Sequence, residues 1–437
     1  MVPPVISASS RLDGFSESPI QASHIDSWNQ VFEPQNSIQD GSPITFLIPP
    51  SPEFINLSRT KLKIKVKIIK SGGGNLVAAD NKKVALACNS MHSLFKHVTL
   101  KVGDTIVTPS GDQYPYKAFI DTLFSSTLES KHTWDLSGFH LDTEEDAVTT
   151  NLGFKKRANS AINSVEMEFS GRPALDILKT GINVIDNVKL EFNFYPNDNA
   201  FVLHKSAGYT GDVKFKITDA QLSIRKEQLD PSTVNAIHKA LLKKNWTLPY
   251  SITTTKLYNL PADSYQFNAN NVFQGKIPNF ILIYFVKASS YTGNYHKNPF
   301  FFSPHDSIKE IIVTKNGQLV PSAKPNEICI DFTSPKGLRV IDTYESLLDV
   351  MGYSGLVSKG LVFPPERLAG GLFFSATNFQ PDTENDDHIS LEKNGNIDIQ
   401  IKFGEAIPEA YEMFVTGDFD TKTEINTARN VLHTFKQ

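Results

Sequence analysis

Few residues in this chain have the type and spacing that chemistry requires. His24-Ile25-Asp26 has the His-x-Asp step that opens a two-histidine, one-carboxylate iron site. It lies in a polar stretch ahead of the first clear strand, where no rigid scaffold would fix the ligands, so a polar pair in a surface arm is the expectation. Cys88, His92 and His97 can be drawn as a metal cluster, but their spacing matches no zinc pattern and no second pair follows. Pro304-His305-Asp306-Ser307 holds the three residue types of a hydrolase triad, yet sequence neighbours cannot reach triad geometry, and a turn is expected. No P-loop, no Gly-x-Gly-x-x-Gly and no Gly-x-Ser-x-Gly occurs; Ser71-Gly72-Gly73-Gly74 lacks the Gly-Lys-Ser/Thr of a phosphate cradle. The expectation is therefore no catalytic, cofactor-binding or metal residues, and no enzyme.

Composition points the same way. The 437 residues suffice for two or three domains, and a net charge of −4 argues against a basic nucleic-acid stripe. The 30 Phe and 13 Tyr, set among 25 Pro and 25 Gly, suit short strands broken by turns. Cys88 and Cys329, among small or apolar neighbours, read as buried thiols of a reducing compartment. Met1–Ser10 lacks the pattern of a signal peptide, and no apolar run approaches the ~20 residues of a membrane span.

The elements that would position any site are strands. In Lys61–Lys70, Leu62, Ile64, Val66 and Ile68 alternate with lysines, which places the apolar set on one face and the ammonium groups on the other. Val98, Leu100 and Val102 continue the rhythm, as do Val188–Phe194 and Ile397–Phe403, while Phe280–Val286 is apolar on both faces and implies a covering layer. Asn316-Gly317 marks a hairpin. The polar stretch Ser125–Ser160, with its acidic knot Asp142–Asp146, reads as a long exposed insertion. Helical grammar is confined to a few segments: Tyr114–Phe124, Val340–Leu348, and Asp230–Trp246, where Ser232 or Thr233 is the expected N-cap. In the last, Val234, Ile237 and Leu241 form one stripe and Lys239, Lys243 and Lys244 lie off it.

The two sides of Asp230–Trp246 echo each other. Ser93–Val107 matches Asp306–Val320 in rhythm, and Asn187–Phe192 matches Asn396–Ile401, at offsets of 213 and 209. A shared offset implies tandem duplication. The expected fold is all-β, a double jelly roll: two tandem eight-stranded antiparallel β-sandwiches with a short connecting helix and a few inserted helices. The boundaries are an N-terminal arm 1–40, a first jelly roll 41–229, a connecting helix 230–247, a second jelly roll 248–425 and a tail 426–437. Trp28, Val31 and Phe32 are the arm's only bulky cluster and are expected to pack between subunits. Jelly rolls also host lectin-like modules and iron-dependent oxygenases, the rival readings.

Several short segments resemble one family. They are Val31-Phe-Glu-Pro-Gln-Asn36, Asn89-Ser-Met-His-Ser-Leu-Phe95, Tyr114-Pro-Tyr-Lys-Ala-Phe119, Phe273-Gln-Gly275 with Ile277-Pro278, Asn294-Tyr-His-Lys-Asn-Pro-Phe-Phe-Phe302, Gly395-Asn-Ile-Asp-Ile399, and the run from Phe403 through Pro408 to Asp420 with Arg429-Asn430. In this order and spacing the chain resembles the double jelly-roll major capsid protein of Polinton (Maverick) elements and adintoviruses. The resemblance implies a hexon-like, pseudo-hexameric homotrimer tiling an icosahedral shell around a double-stranded DNA genome, which it would enclose without sequence-specific binding. It further implies a single jelly-roll penton protein and minor cement proteins as partners, location in the virion after assembly inside a host cell, and no catalytic residues.

Overall fold

In the computed structural model, the described residues are 21–433 apart from 109–110, 112, 128, 149, 304–307, 321–325, 328–340, 353–360 and 381–392. Cys329 and the Pro304–Ser307 turn lie outside them. The first half contributes β1 (His24–Phe32), β2 (Ile44–Ile48), β3 (Phe54–Lys70), β4 (Phe95–Val102), β5 (Thr105–Ile106), β6 (Met167–Gly171), β7 (Leu190–Pro196) and β8 (Val213–Leu229). The second contributes β9 (Trp246–Leu260), β10 (Gln266–Ala269), β11 (Phe280–Lys287), β12 (Ile308–Lys315), β13 (Gln318–Val320), β14 (Ser375–Asn378), β15 (Ile397–Phe403) and β16 (Tyr411–Ile425). Shorter pairings, such as Val84–Leu86 with Leu203–Lys205, lie beside these.

The two halves repeat one strand order. The first half forms sheets β1-β8-β3-β6 and β2-β7-β4-β5, and the second forms β9-β16-β11-β14 and β10-β15-β12-β13, the same order strand for strand. Each second-half sheet carries one further short strand, Val431–His433 on β16 and Asn326–Glu327 on β12. Two antiparallel sheets sharing this crossed four-strand path are a jelly roll, so the chain is a double jelly roll. The echoing segments occupy equivalent places: β4 matches β12, and β7 matches β15.

Period-two patterning builds each sandwich. In β3 the inward Leu62, Ile64, Val66 and Ile68 are buried, and Phe46, Leu100, Phe192 and Phe194 from the opposing sheet are buried with them. In the second half Ile397, Ile399 and Ile401 are buried, as are Ile281, Ile283, Met413 and Val415. The β12–β13 hairpin turns at Asn316 (φ 52°) and Gly317 (φ 79°), the left-handed pair a two-residue turn needs.

Two expectations are corrected. Residues 24–32, assigned to an irregular arm, form a nine-residue strand at the edge of the first sheet, hydrogen-bonded along β8 from His24↔Leu229 to Phe32↔Leu222. An edge strand needs only one ladder and no continuous apolar face, which is why its polar sequence concealed it. Likewise β9 runs for fifteen residues through Pro249 and a threonine run; proline is tolerated there because β9 is an edge. Part of the stretch 125–160 enters the core. Phe139, Phe154, Asn151, Asp142 and Arg157 are buried, and Arg157 reaches Asp142 from the helix α2 (Leu152–Ser160).

The connecting helix α3 (Pro231–Leu241) is capped by Asp230, whose carboxylate accepts the Ser232 N–H at 2.9 Å, two positions ahead of the expected serine. Pro231 at the first turn has no N–H to satisfy, so the cap falls before it. The remaining long helices, α1 (Tyr114–Ser125) and α4 (Ile341–Val350), both fill the connection between a jelly roll's fourth-order strand pair and its next strand: β5 to β6 in one half, β13 to β14 in the other.

Candidate assembly surfaces

Three of the residues that suggested metal chemistry, His24, His92 and Cys88, sit in structural settings among the described residues. His24 Nε2 lies 3.0 Å from Glu227 on β8. His92 is buried against Tyr114 (Nδ1 to Oη, 2.9 Å), and burial lowers its pKa to about 4. Burial pushes the Cys88 thiol up to about 12, an unreactive state. Among the described residues no group of three or more His, Cys, Asp or Glu side chains is placed to hold a metal ion, and no helix is long and apolar enough to cross a membrane.

The most elaborate polar and aromatic packing instead joins the two jelly rolls. From the first, α1 presents Tyr116 and Phe119. From the second come Phe300 and Phe302, together with Tyr284 of β11 and Phe414 of β16. Tyr116 lies 4.7 Å from Phe414 between ring centroids, Phe119 stacks on Phe300 at 4.9 Å, and Tyr284 stacks on Phe414 at 4.8 Å. This layer covers the outward face of β11, which explains why that strand is apolar on both sides. Tyr116 Oη meets no hydrogen-bonding partner among the described residues, so ring packing is this side chain's contribution.

Backbone and charge stitch the same seam. Ala147 N donates to His296 O (3.0 Å), Asn298 N to Glu145 O (2.8 Å), and His296 Nδ1 lies 2.9 Å from Lys205 O. Lys287 on β11 lies 3.2 Å from Glu145. Arg367 Nη2 donates to Asp142 O at 2.7 Å. The motifs Tyr114–Phe119 and Asn294–Phe302, far apart in sequence, thus meet here.

A second node lies at the connector. Asp186 of the first half is buried, 3.0 Å from His238 Nε2 on α3 and 2.9 Å from Arg429 Nη2 of the second half. Leu241 is buried, and Val234 and Ile237 pack partly buried on the core. Lys239, Lys243 and Lys244 are exposed. Trp246 Nε1 donates to Asn183 O at 2.8 Å, so both ends of the connector are tied to the first jelly roll.

At a third point, Asp176 accepts from Lys117 Nζ (2.7 Å) and from Thr253 N of β9 (2.9 Å). Although burial opposes it, Lys117 and Lys179 hold the neighbouring Asp121 down to about 2. Across the seam, burial raises the Asp418 carboxyl to about 7, with Asp176 and Asp420 acting in the same direction, and Lys179 and Asn279 opposing. The folded state therefore prefers Asp418 protonated. Its ordinary pKa is near 3.8, so stability falls as pH rises from about 4 to about 7. Above pH 7, Asp418→Asn is expected to raise the unfolding free energy by about 1–2 kcal/mol given the partial exposure. That gain should disappear below about pH 4. Denaturation of both proteins across this range checks it.

The outward faces are of two kinds. On β1, Trp28 is 36% and Val31 53% exposed, while Phe32 packs on the core. These three were expected to act together. Along the strand Trp28 and Phe32 share one face and Val31 lies on the other. On β3 the lysine face is laced to its neighbours: Lys63 Nζ lies 2.8 Å from Glu168, Lys65 3.2 Å from Asp219 and Lys67 3.7 Å from Glu166.

No protein-family model matches the chain. A Caenorhabditis elegans protein described only as uncharacterized, F54H12.2, is 21% identical over 407 residues, covering 91% of this chain and 94% of that one. Solved structures share its fold along nearly its whole length. A chain of the Sputnik virophage matches with TM-score 0.59 and 12% identity, over 99% of this chain and 93% of its own. The mavirus major capsid protein matches with TM-score 0.53 and 11% identity, over 100% and 96%. The Faustovirus major capsid protein matches with TM-score 0.51 and 8% identity, over 94% and 92%. At these identities the likeness is one of fold, and it spans both jelly rolls and the connector.

Proposed function

We propose that this chain is a major capsid protein, a hexon-like subunit whose homotrimers tile an icosahedral shell around a double-stranded DNA genome. The observation that carries this reading is the repetition of one eight-stranded order in both halves of a single chain, shared end to end with viral major capsid proteins. Two rigidly fused jelly rolls let three copies present six similar units, so a threefold particle fills a hexagonal lattice position. The aromatic seam supports this, because the angle between the two units must be held if the ring is to close.

The motifs of the sequence support assignment to the Polinton (Maverick) and adintovirus group. A single jelly-roll penton protein at the vertices and minor cement proteins are the partners this role requires, and the protein would reside in the virion after assembly inside the host cell. The subunit is structural and carries no catalysis of its own. DNA is enclosed without sequence-specific binding, in keeping with the net charge of −4 and with the carboxylates that partner the β3 lysines. Trp28 and Val31, exposed on an edge strand, are suited to contact a neighbouring subunit. Electron microscopy of the expressed protein tests the reading: hexagonally shaped particles or closed shells are expected, and a uniform field of dispersed two-lobed monomers at assembly concentrations would refute it.

A further inference from the structure

Within the chain, α1 of the first jelly roll rests on the outward face of β11 and β16 in the second. The corresponding helix of the second jelly roll, α4, packs on β14 of its own sandwich, and among the described residues no sheet of the first jelly roll covers its other side. The corresponding sheet is β1-β8-β3-β6, and its outward face bears the side chains of Lys61, Lys63, Lys65 and Lys67 on the strand equivalent to β11. The chain therefore carries two unmatched halves of one kind of contact.

Their charges are opposite in sign: on the sheet face the four lysines outnumber the carboxylates Glu168, Asp219 and Glu166, which partner Lys63, Lys65 and Lys67 and leave Lys61 over. On α4, Thr343, Leu347 and Val350 are buried, whereas Asp342, Glu345 and Asp349 are exposed at i, i+3 and i+7, a single acidic stripe. On β3, Lys61 and Lys63 are exposed. We infer that the acidic stripe of α4 in one copy docks on the lysine face of β3 in the next copy, repeating between chains the contact that α1 makes within one. The inference rests on the capsid reading above and specifies the partner of each surface. A head-to-tail contact of this kind closes into a ring when its rotation does.

The two versions of the contact differ for a physical reason. The internal one forms during folding of a single chain and can be apolar. The external one must stay in water until a partner arrives, and a large exposed aromatic face would aggregate. Opposite charges leave the subunit soluble, speed encounter and set the register. The contact should weaken with added salt, because exposed charges are screened beyond about 8–10 Å at physiological ionic strength.

Charge reversal tests this on the full-length chain, read by native mass. The wild type is expected at three times 48.6 kDa. Lys61→Glu with Lys63→Glu is expected to shift it to the single-chain mass, as is Asp342→Lys with Glu345→Lys. Combining all four, which inverts both faces, is expected to restore the trimer. The altered residues are exposed, so unchanged circular dichroism and melting of each variant would show that folding is intact. A wild-type trimer that survives both reversals overturns the docking scheme but leaves the capsid reading standing, even if the lysine variant loses affinity for DNA. Loss of the trimer in both reversals without recovery in the fourfold variant also overturns it. A monomeric wild type overturns the capsid reading itself.

Discussion

Replacing Arg157 with methionine is expected to destabilise the first jelly roll by about 3–5 kcal/mol at neutral pH, the usual cost of stranding one member of a buried ion pair. Arg157 is buried with its guanidinium wholly engaged. Nη2 donates to both Asp142 oxygens at 2.9 Å, Nε to Leu86 O at 2.7 Å, and Nη1 to His140 O at 2.6 Å. Methionine fills much of the volume but leaves the Asp142 carboxylate without its cation and takes a donor from each of the Leu86 and His140 carbonyls. Burial already holds the Asp142 carboxyl above its ordinary value, even with the guanidinium beside it. Without Arg157 that value rises further, so the folded variant binds a proton that its unfolded chain releases at neutral pH. Its deficit should therefore shrink as pH is lowered toward 5. Adding Asp142→Asn should recover part of the loss at neutral pH. Denaturant unfolding of the three proteins at two pH values checks the sign. Equal deficits at both would show that the arginine contributes packing alone.

Tyr116→Ala is the second large effect, expected to cost about 3–5 kcal/mol as a buried aromatic truncated to a methyl group. Its consequence differs from that of Arg157. Tyr116 packs within 4.7–6.3 Å of Phe414, Phe300, Phe201, Tyr291 and Phe302, so the cavity opens between the two jelly rolls and not inside either. Calorimetry should then show one transition in the wild type separating into two. Tyr116→Phe is the control. Because the hydroxyl is buried and meets no described partner, removing it should be neutral or slightly stabilising. A single unchanged transition in Tyr116→Ala would show that the seam does not couple the halves.

What could be read from residues alone follows the physics of patterning. β3, β4, β7, β12 and β15 were legible because each buries one face and wets the other, and the internal echo was legible because both sandwiches use those strands in the same order. The edge strands β1 and β9 were not, since an edge satisfies its backbone with one partner and can carry Asp26, Asn29 or Pro249 without penalty. The buried Asp142–Arg157 knot was hidden for the opposite reason. Charged residues in a polar stretch look solvated, and only the placement of Phe139 and Phe154 brings them into the interior. The connector's stripe of Val234, Ile237 and Leu241 was legible from its spacing, but its anchoring through His238, Asp186 and Arg429 joins residues up to 243 positions apart. No local pattern announces such a node. The motifs Tyr114–Phe119 and Asn294–Phe302 could be quoted from the sequence, whereas their meeting at the seam required coordinates.

The central claim is that this chain forms a ring of six jelly rolls from three copies. Native mass measurement of the purified full-length protein at assembly concentration tests it most directly. A species at three times 48.6 kDa, alone or incorporated into larger shells, is the predicted result; a stable single chain of 48.6 kDa across that concentration range would contradict it.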